Sequence, residues 1–208
     1  MFYGQFELDK VLYQTFFQNK KEGFFVECGA FDGLTESTCK FFEESMGWTG
    51  MNIEPTPYAY NKLIQNRPHC INLQYALSST NGKATFTNAI HPSLGLHFGN
   101  GSLNHTSNHK DELVAMGCNF ETFEVECIRF DNLHQTHNIK QIDLFVLDVE
   151  GHECNALDGI LSLPQNSLPL IFCIEHSITG SDKINKMLKP YYTFHSKHAH
   201  NAFFVRIN

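Results

Sequence analysis

The chain has 208 residues and a net charge of −7, from 15 Lys and Arg against 22 Asp and Glu, with 42% hydrophobic residues. This length suits one domain, read here as residues 1–208, with a sizeable buried core. The scattered Lys and Arg argue against a nucleic-acid partner, which needs a basic stripe, and no apolar run reaches the ~20 residues of a membrane span.

The elements follow in chain order. Phe6, Leu8, Val11, Leu12, Phe16 and Phe17 have helical spacing and predict an amphipathic helix within residues 1–22. The run Phe24-Phe25-Val26-Glu27-Cys28 reads as a buried strand, residues 29–33 as a tight turn, and 34–46 as a helix. Strand, glycine turn and helix start, in that order, make a nucleotide-cofactor site in an α/β sheet. Gly29 and Gly33 allow positive φ and a close approach of backbone to ligand. A phosphate prefers bare N–H groups, and Glu27 and Asp32 would repel it. A ligand with cationic groups and hydroxyls suits them better, and S-adenosylmethionine (SAM) carries both.

Met51-Asn52-Ile53 is the next strand, stopped at Glu54-Pro55. Glu54 stands 21 positions after Gly33, where a βαβ unit places the carboxylate for a ribose diol. Thr56 caps a helix with Pro57 at its first position, through about Asn66. Residues 70–77 predict a third strand and 83–87 its hairpin partner. Residues 88–119, with four glycines and His91, His97, His105 and His109, read as a loop-rich insertion near the site. These histidines, and His195, His198 and His200, are spaced too irregularly for metal ligation and read as solvated. Residues 123–128 predict a strand, 142–147 a buried strand ending in Asp148-Val149-Glu150-Gly151-His152-Glu153, and 152–161 a helix. Residues 168–174 form a further buried strand ending in Glu175-His176, 181–188 a helix, and 191–195 with 202–207 an antiparallel pair. The seven cysteines include no CxxC pair and read as reduced, mostly buried thiols of a cytoplasmic protein. The first nine residues lack the basic and apolar regions of a signal peptide.

Four strands thus end in polar clusters, Glu27/Asp32, Glu54, Asp148/Glu150/His152 and Glu175/His176. Parallel neighbours would bring them to one crevice. Four segments, residues 24–37, 47–63, 75–86 and 142–160, resemble the FkbM family of SAM-dependent methyltransferases, the last most specifically. The chain departs from that pattern at Ser37-Thr38-Cys39 and at Phe145-Val146-Leu147.

The resemblance implies a Rossmann-like class I methyltransferase fold. Its sheet is seven-stranded and mostly parallel, with the last strand antiparallel and helices on both faces. It also implies that Glu27, Gly29 and Asp32, with Gly33 and Ser37, hold the methionine moiety, that Glu54 holds the ribose, and that Ala76, Leu77 and Ser78 border the adenine. Ser102 matches a serine near the cofactor.

The expected activity is in-line O-methylation of a small polar acceptor, a sugar or glycan hydroxyl. Asp148 is the expected base or metal ligand, beside the cofactor and next to His152, Glu175 and His176. Asp148, Glu175 and His176 could together hold Mg²⁺ or Mn²⁺. A nicotinamide-dependent oxidoreductase of sugar-like substrates is the alternative, disfavoured because Glu27-Cys28-Gly29 lacks the first pyrophosphate glycine. A non-catalytic cofactor-binding module is disfavoured by the intact acids and His176.

Overall fold

The computed structural model of the protein describes residues 1–207. A short helix α1 (Leu8–Leu12) lies between a 3-10 turn and a π turn. Strand β1 (Phe24–Cys28), helix α2 (Lys40–Met46), strand β2 (Thr49–Ile53), helix α3 (Pro57–Asn66) and strand β3 (Ile71–Leu73) come next. Strands β4 (Ala76–Leu77), β5 (Gly82–Ile90) and β6 (Gly101–Ser102) lead to helix α4 (Ser107–Ala115) and strand β7 (Asn119–Ile128). The chain then alternates through helix α5 (Phe130–Thr136), strand β8 (Leu144–Leu147), helix α6 (Glu153–Leu161), strand β9 (Ile171–Glu175) and helix α7 (Ser181–Leu188). It ends in strands β10 (Tyr192–His198) and β11 (Asn201–Arg206).

Seven strands pair in the order β10-β11-β9-β8-β1-β2-β3. The five from β9 to β3 are parallel, and β11 runs antiparallel to both of its neighbours. The last strand of the chain therefore runs against the other six, as expected for a class I methyltransferase. Side chains alternate across the sheet. Val26, Phe145, Leu147 and Phe172 pack on one face with Leu133, Leu157 and Ile184 from α5, α6 and α7. Phe25, Leu144, Val146 and Cys173 pack on the other with Leu12, Phe42 and Trp48. Both faces are covered, so these strands are nearly unbroken apolar runs. Each fully buried large side chain among them contributes about 1.5–3 kcal/mol.

From β1 the chain steps outward to β2 and β3, then returns to the other side of β1 as β8. The switch point between β1 and β8 opens a crevice at the strands' carboxyl ends. A second sheet, β4-β7-β5-β6, lies over it.

Several expected elements change. The helix expected over 34–46 begins only at Lys40, because carboxylates capture the preceding backbone. Asp32 accepts hydrogen bonds from Leu34 N–H (2.9 Å) and Thr35 N–H (2.7 Å), and Glu27 from Thr38 N–H (2.7 Å) and Cys39 N–H (3.1 Å). Such bonds compete with helix. The long N-terminal helix is broken at Phe6 and Glu7, both at positive φ. The strand expected over 70–77 divides into β3 in the main sheet and β4 in the second. Strand β5 does not pair with it as a hairpin but with the distant β7, antiparallel from Gly82↔Cys127 to Ile90↔Asn119. The insertion over 88–119 is largely ordered: it contains the end of β5, β6 and α4. No helix among the described residues is long and apolar enough to cross a membrane.

Candidate active site

A cavity of ≈ 220 Å³ occupies the crevice. Its floor is the carboxyl ends of β1 and β8 and the loop after β2. Phe86, Asn88, Gly101 and Leu103 of the second sheet and its connections roof it.

Gly29 and Asp148 meet at the floor. Gly29 has φ +84°, and a Cβ there would lie 1.8 Å from the Asp148 carbonyl oxygen. A glycine is therefore required for β1 and β8 to close on each other, rather than by a ligand's approach. Gly33, at φ +73°, similarly leaves room for Leu63 and Arg67. Glu54 lines the cavity from the next loop. One of its oxygens accepts from Thr56 N–H (2.8 Å) and Thr56 O–H (2.6 Å), the other from Phe31 N–H (3.0 Å). Three donors leave about one of the roughly four lone-pair sites of a carboxylate free. Burial raises the proton affinity of Glu54.

The structure separates the other expected cofactor residues. Ala76 and Leu77 line the cavity, while Glu27, Asp32, Gly33, Ser37, Ser78 and Ser102 do not. Glu27 is enclosed: besides its two backbone donors it accepts from Ser37 O–H (2.8 Å) and pairs with Arg67 (3.3 Å), which is 0% exposed. Arg67 also pairs with Glu43 and donates to Gly33 O (3.3 Å). The two acids of the opening motif thus shape the loop over β1, because short carboxylates reach their own turn's N–H groups before they reach a ligand. Ser78 Oγ is 3.1 Å from His152 Nε2, and Ser102 donates to Val149 O (3.3 Å), tying the second sheet to the loop after β8.

The end of the cavity at β8 is acidic. Asp148, Glu150 and His152 line the cavity. Glu150 has φ +53°, uncommon for a non-glycine residue. Glu153 holds the loop in shape, accepting from Val149 N–H and Gly151 N–H (both 3.1 Å) and from Thr179 O–H. Burial and the neighbouring Glu153, Glu36 and Glu27 push Asp148 up to about 7. Burial and Asp148 push Glu150 well above the usual carboxylate range, and the same causes raise Glu175 to about 8. Burial lowers His152, whose Nδ1 has no hydrogen-bond partner.

Glu175 and His176 do not reach the cavity lining. One Glu175 oxygen accepts from Ser177 O–H, and its other oxygen and His176 Nε2 have no partner. Among the described residues no three His, Cys, Asp or Glu side chains are placed to hold a metal ion. The expected Asp148–Glu175–His176 metal set does not form: the β9 pair stands behind the site instead of within it.

Residues not anticipated also line the cavity. Tyr58, on α3, shares a hydrogen bond with His97 Nε2 (3.0 Å) and accepts from Lys62 (2.7 Å), at the cavity lining. Gln5 and Leu8 reach in from the N-terminal segment, and Asn201 from β11. Two histidines read as solvated are instead packed. His109, on α4, is 8% exposed, and its Nε2 lies 3.8 Å from Glu150 Oε2. His105 is half-buried against it, with 3.3 Å between their Nδ1 atoms. The helical spacing of Thr106, His109 and Leu113 was the available signal.

A sheet of this order, with a glycine turn after β1, a carboxylate after β2 and acids after β8 around one cavity, defines a class I SAM-dependent methyltransferase. Residues 27–198 match the methyltransferase FkbM domain, and the chain belongs to that family. No curated protein matches it in sequence. Among solved structures it is similar to a TehB-like SAM-dependent methyltransferase from Corynebacterium glutamicum, with 11% identity, TM-score 0.47, and 100% of this chain and 89% of that one covered. It is also similar to M. capricolum TrmK in complex with S-adenosyl-homocysteine (9% identity, TM-score 0.43, 98% and 68% covered). A third is the Methanococcus jannaschii fibrillarin pre-rRNA processing protein (10% identity, TM-score 0.45, 90% and 67% covered). At so low a likeness, none carries information on what this chain acts on.

Proposed function

We propose that the protein transfers the methyl group of SAM to a hydroxyl of a small polar acceptor, a sugar or glycan, and that residues 1–208 form one catalytic domain. The observation that carries this is the cavity wall: Glu36, Glu54, Asp148 and Glu150 line it, and no Lys or Arg does. Such a wall suits a sulfonium donor and an uncharged acceptor and opposes a phosphorylated one, a nucleic acid included. In this reading SAM lies across the turn at Gly29. Its ribose takes the remaining lone pair of Glu54, and its adenine lies against Ala76 and Leu77. Glu27, Asp32, Gly33 and Ser37 act at one remove, by building the turn.

An alkyl hydroxyl holds its proton far above neutral pH, so a base must take it as the bond forms. Asp148 is that base. The O–H bond breaks to Asp148, the acceptor oxygen bonds the methyl carbon, the S–CH₃ bond breaks, and S-adenosylhomocysteine (SAH) leaves. A carboxylate poised near neutral pH suits the role. His152, which lines the cavity, orients the acceptor. Burial, with Glu153, Glu36 and Glu27 nearby, raises Asp148's proton affinity. A nicotinamide reading is disfavoured, because Glu27-Cys28-Gly29 lacks the first glycine of a pyrophosphate-binding turn. Seven unpaired thiols suit a reducing compartment and support the cytoplasm as its location.

The test is ligand-dependent melting followed by SAH release over a panel of glycosides. SAM should raise the melting temperature and NAD should not. Stabilisation by NAD alone would overturn the cofactor, and SAH release only with phosphorylated or anionic acceptors would overturn the acceptor class.

A further inference from the structure

The cavity has a further end, on the β11 side of β8. Leu144, Val146, Cys173 and Phe203 share one face of the main sheet. Asp148, Glu175 and Asn201 each stand two residues from a member of that set, so they share the same face at the strand ends. Asn201 pairs in register with Glu175, and Asp148 and Glu175 each follow the register pair Leu147↔Ile174. The three therefore form one row across β8, β9 and β11. Two strand spacings put Asn201 about 10 Å from the position of Asp148. Asn201 is 7% exposed and lines the cavity. One polar end of its amide meets the Cys173 thiol (3.6 Å), which burial keeps protonated. The other end has no protein partner among the described residues. A strap of N-terminal chain brings Gln5 and Leu8 to the same cavity. Gln5 Nε2 donates to Glu36 (3.3 Å) in the loop after β1, and Phe6 O accepts from His198 Nε2 (2.7 Å) at the end of β10. The Phe6 ring lies 5.6 Å from His200, the residue before Asn201. The strap thus runs from the loop after β1 to the β10–β11 turn, and positive φ at Phe6 (+53°) and Glu7 (+57°) bends it there.

We propose that Asn201 and Gln5 bind the acceptor, hydrogen-bonding hydroxyls of a neutral sugar so that the hydroxyl to be methylated lies at Asp148. This inference rests on the reading of SAM in the crevice and of a sugar as acceptor. With its ribose at Glu54 and its sulfur toward Asp148, SAM covers the ends of β2, β1 and β8 and leaves the β9–β11 end open. In-line transfer needs the acceptor oxygen on the side of the methyl group away from sulfur, and the row from Asp148 to Asn201 leads away from the cofactor. About 10 Å accommodates one sugar ring with a hydrogen bond at either end. An amide offers both donors and an acceptor, as a sugar hydroxyl does, and carries no charge. Leu8, 5% exposed, gives the ring's C–H groups an apolar surface.

The experiment compares wild type, Asn201→Ala and Gln5→Ala, with melting curves to confirm folding. Gln5 is exposed, so its variant reports even where Asn201→Ala unfolds. SAH affinity, by calorimetry, should change less than about twofold in both, because neither amide touches the cofactor. With methyl hexopyranosides as acceptors and saturating SAM, KM for a methylated glycoside should rise about fivefold in each variant, the worth of one neutral hydrogen bond, with kcat nearly unchanged. In a deoxy series of that glycoside, one member should be as poor for wild type as the parent is for Asn201→Ala, and should lose nothing further in the variant. A loss of SAH affinity as large as the rise in KM would overturn the proposal and give these amides to the cofactor's amino-acid end. An unchanged KM, or an equal loss across the whole deoxy series, would also overturn it. If SAH binds but no glycoside is methylated, the acceptor reading falls and the subsite with it. If SAH does not bind wild type, it is the cofactor reading that falls first.

Discussion

Glu54→Gln perturbs both the loop and the proposed ribose contact, and the two effects can be measured separately. The carboxylate accepts three hydrogen bonds, from Phe31 N–H, Thr56 N–H and Thr56 O–H. An amide of the same shape keeps one acceptor oxygen and turns an –NH₂ toward the remaining donor or donors. Glu54 is 5% exposed, so water does not replace the lost partner. A buried donor left unpaired costs about 1–3 kcal/mol. For a chain of this length each kcal/mol is about 2–4 °C, so the melting temperature should fall by roughly 2–12 °C. A hydrogen bond to a charged group is worth about 1.5–3 kcal/mol, so SAM affinity should fall by about 10–100-fold. Melting curves without ligand read the first effect and calorimetry with SAM the second. A destabilised variant that binds SAM as tightly as wild type would refute the ribose contact. Unchanged stability would refute the hydrogen-bond account of the loop.

Asp148→Asn should retain SAM binding within a few-fold and lower methyl transfer by about 10²–10⁴ once an acceptor is in hand, read as SAH release. Raised carboxyl proton affinities also predict the pH dependence of folding. In the empty protein Asp148 (about 7) and Glu175 (about 8) bind protons that the unfolded chain has already lost. Their stabilising contribution is therefore complete in acid and lost as pH rises through the window from about 4 to about 8. Melting temperature should fall from pH 5.5 to pH 8, and Asp148→Asn should flatten the slope; a rising profile would contradict the assigned shifts. Arg67→Leu should cost about 3–5 kcal/mol in denaturant unfolding, because Glu27 and Glu43 would lose the buried cation that pairs them.

The main sheet was legible because its strands are buried on both faces, leaving apolar runs such as Phe24–Cys28 and Leu144–Leu147 bounded by glycines and acids. The placement of Glu54 and Asp148 at the cavity was legible because parallel strands deliver their carboxyl ends to one crevice. The roles of Glu27 and Asp32 were not. A carboxylate beside a glycine turn looks the same in sequence whether it meets a ligand or its own backbone, and here the backbone is nearer. The second sheet was hidden because β5 and β7 pair across the whole 91–118 segment, with weak alternation on both strands. His109 was missed for the same reason. Its neighbour in space, Glu150, belongs to a distant loop, and α4 buries only His109 and Leu113.

The central claim is that SAM lies in the crevice between β1 and β8. The most direct measurement is a structure of the protein with bound SAH. The account requires a ribose hydroxyl within hydrogen-bond reach of Glu54, the adenine against Ala76 and Leu77, and the sulfur facing Asp148 and Glu150. A cofactor bound elsewhere, or in the crevice with its sulfur turned away from Asp148, would contradict it.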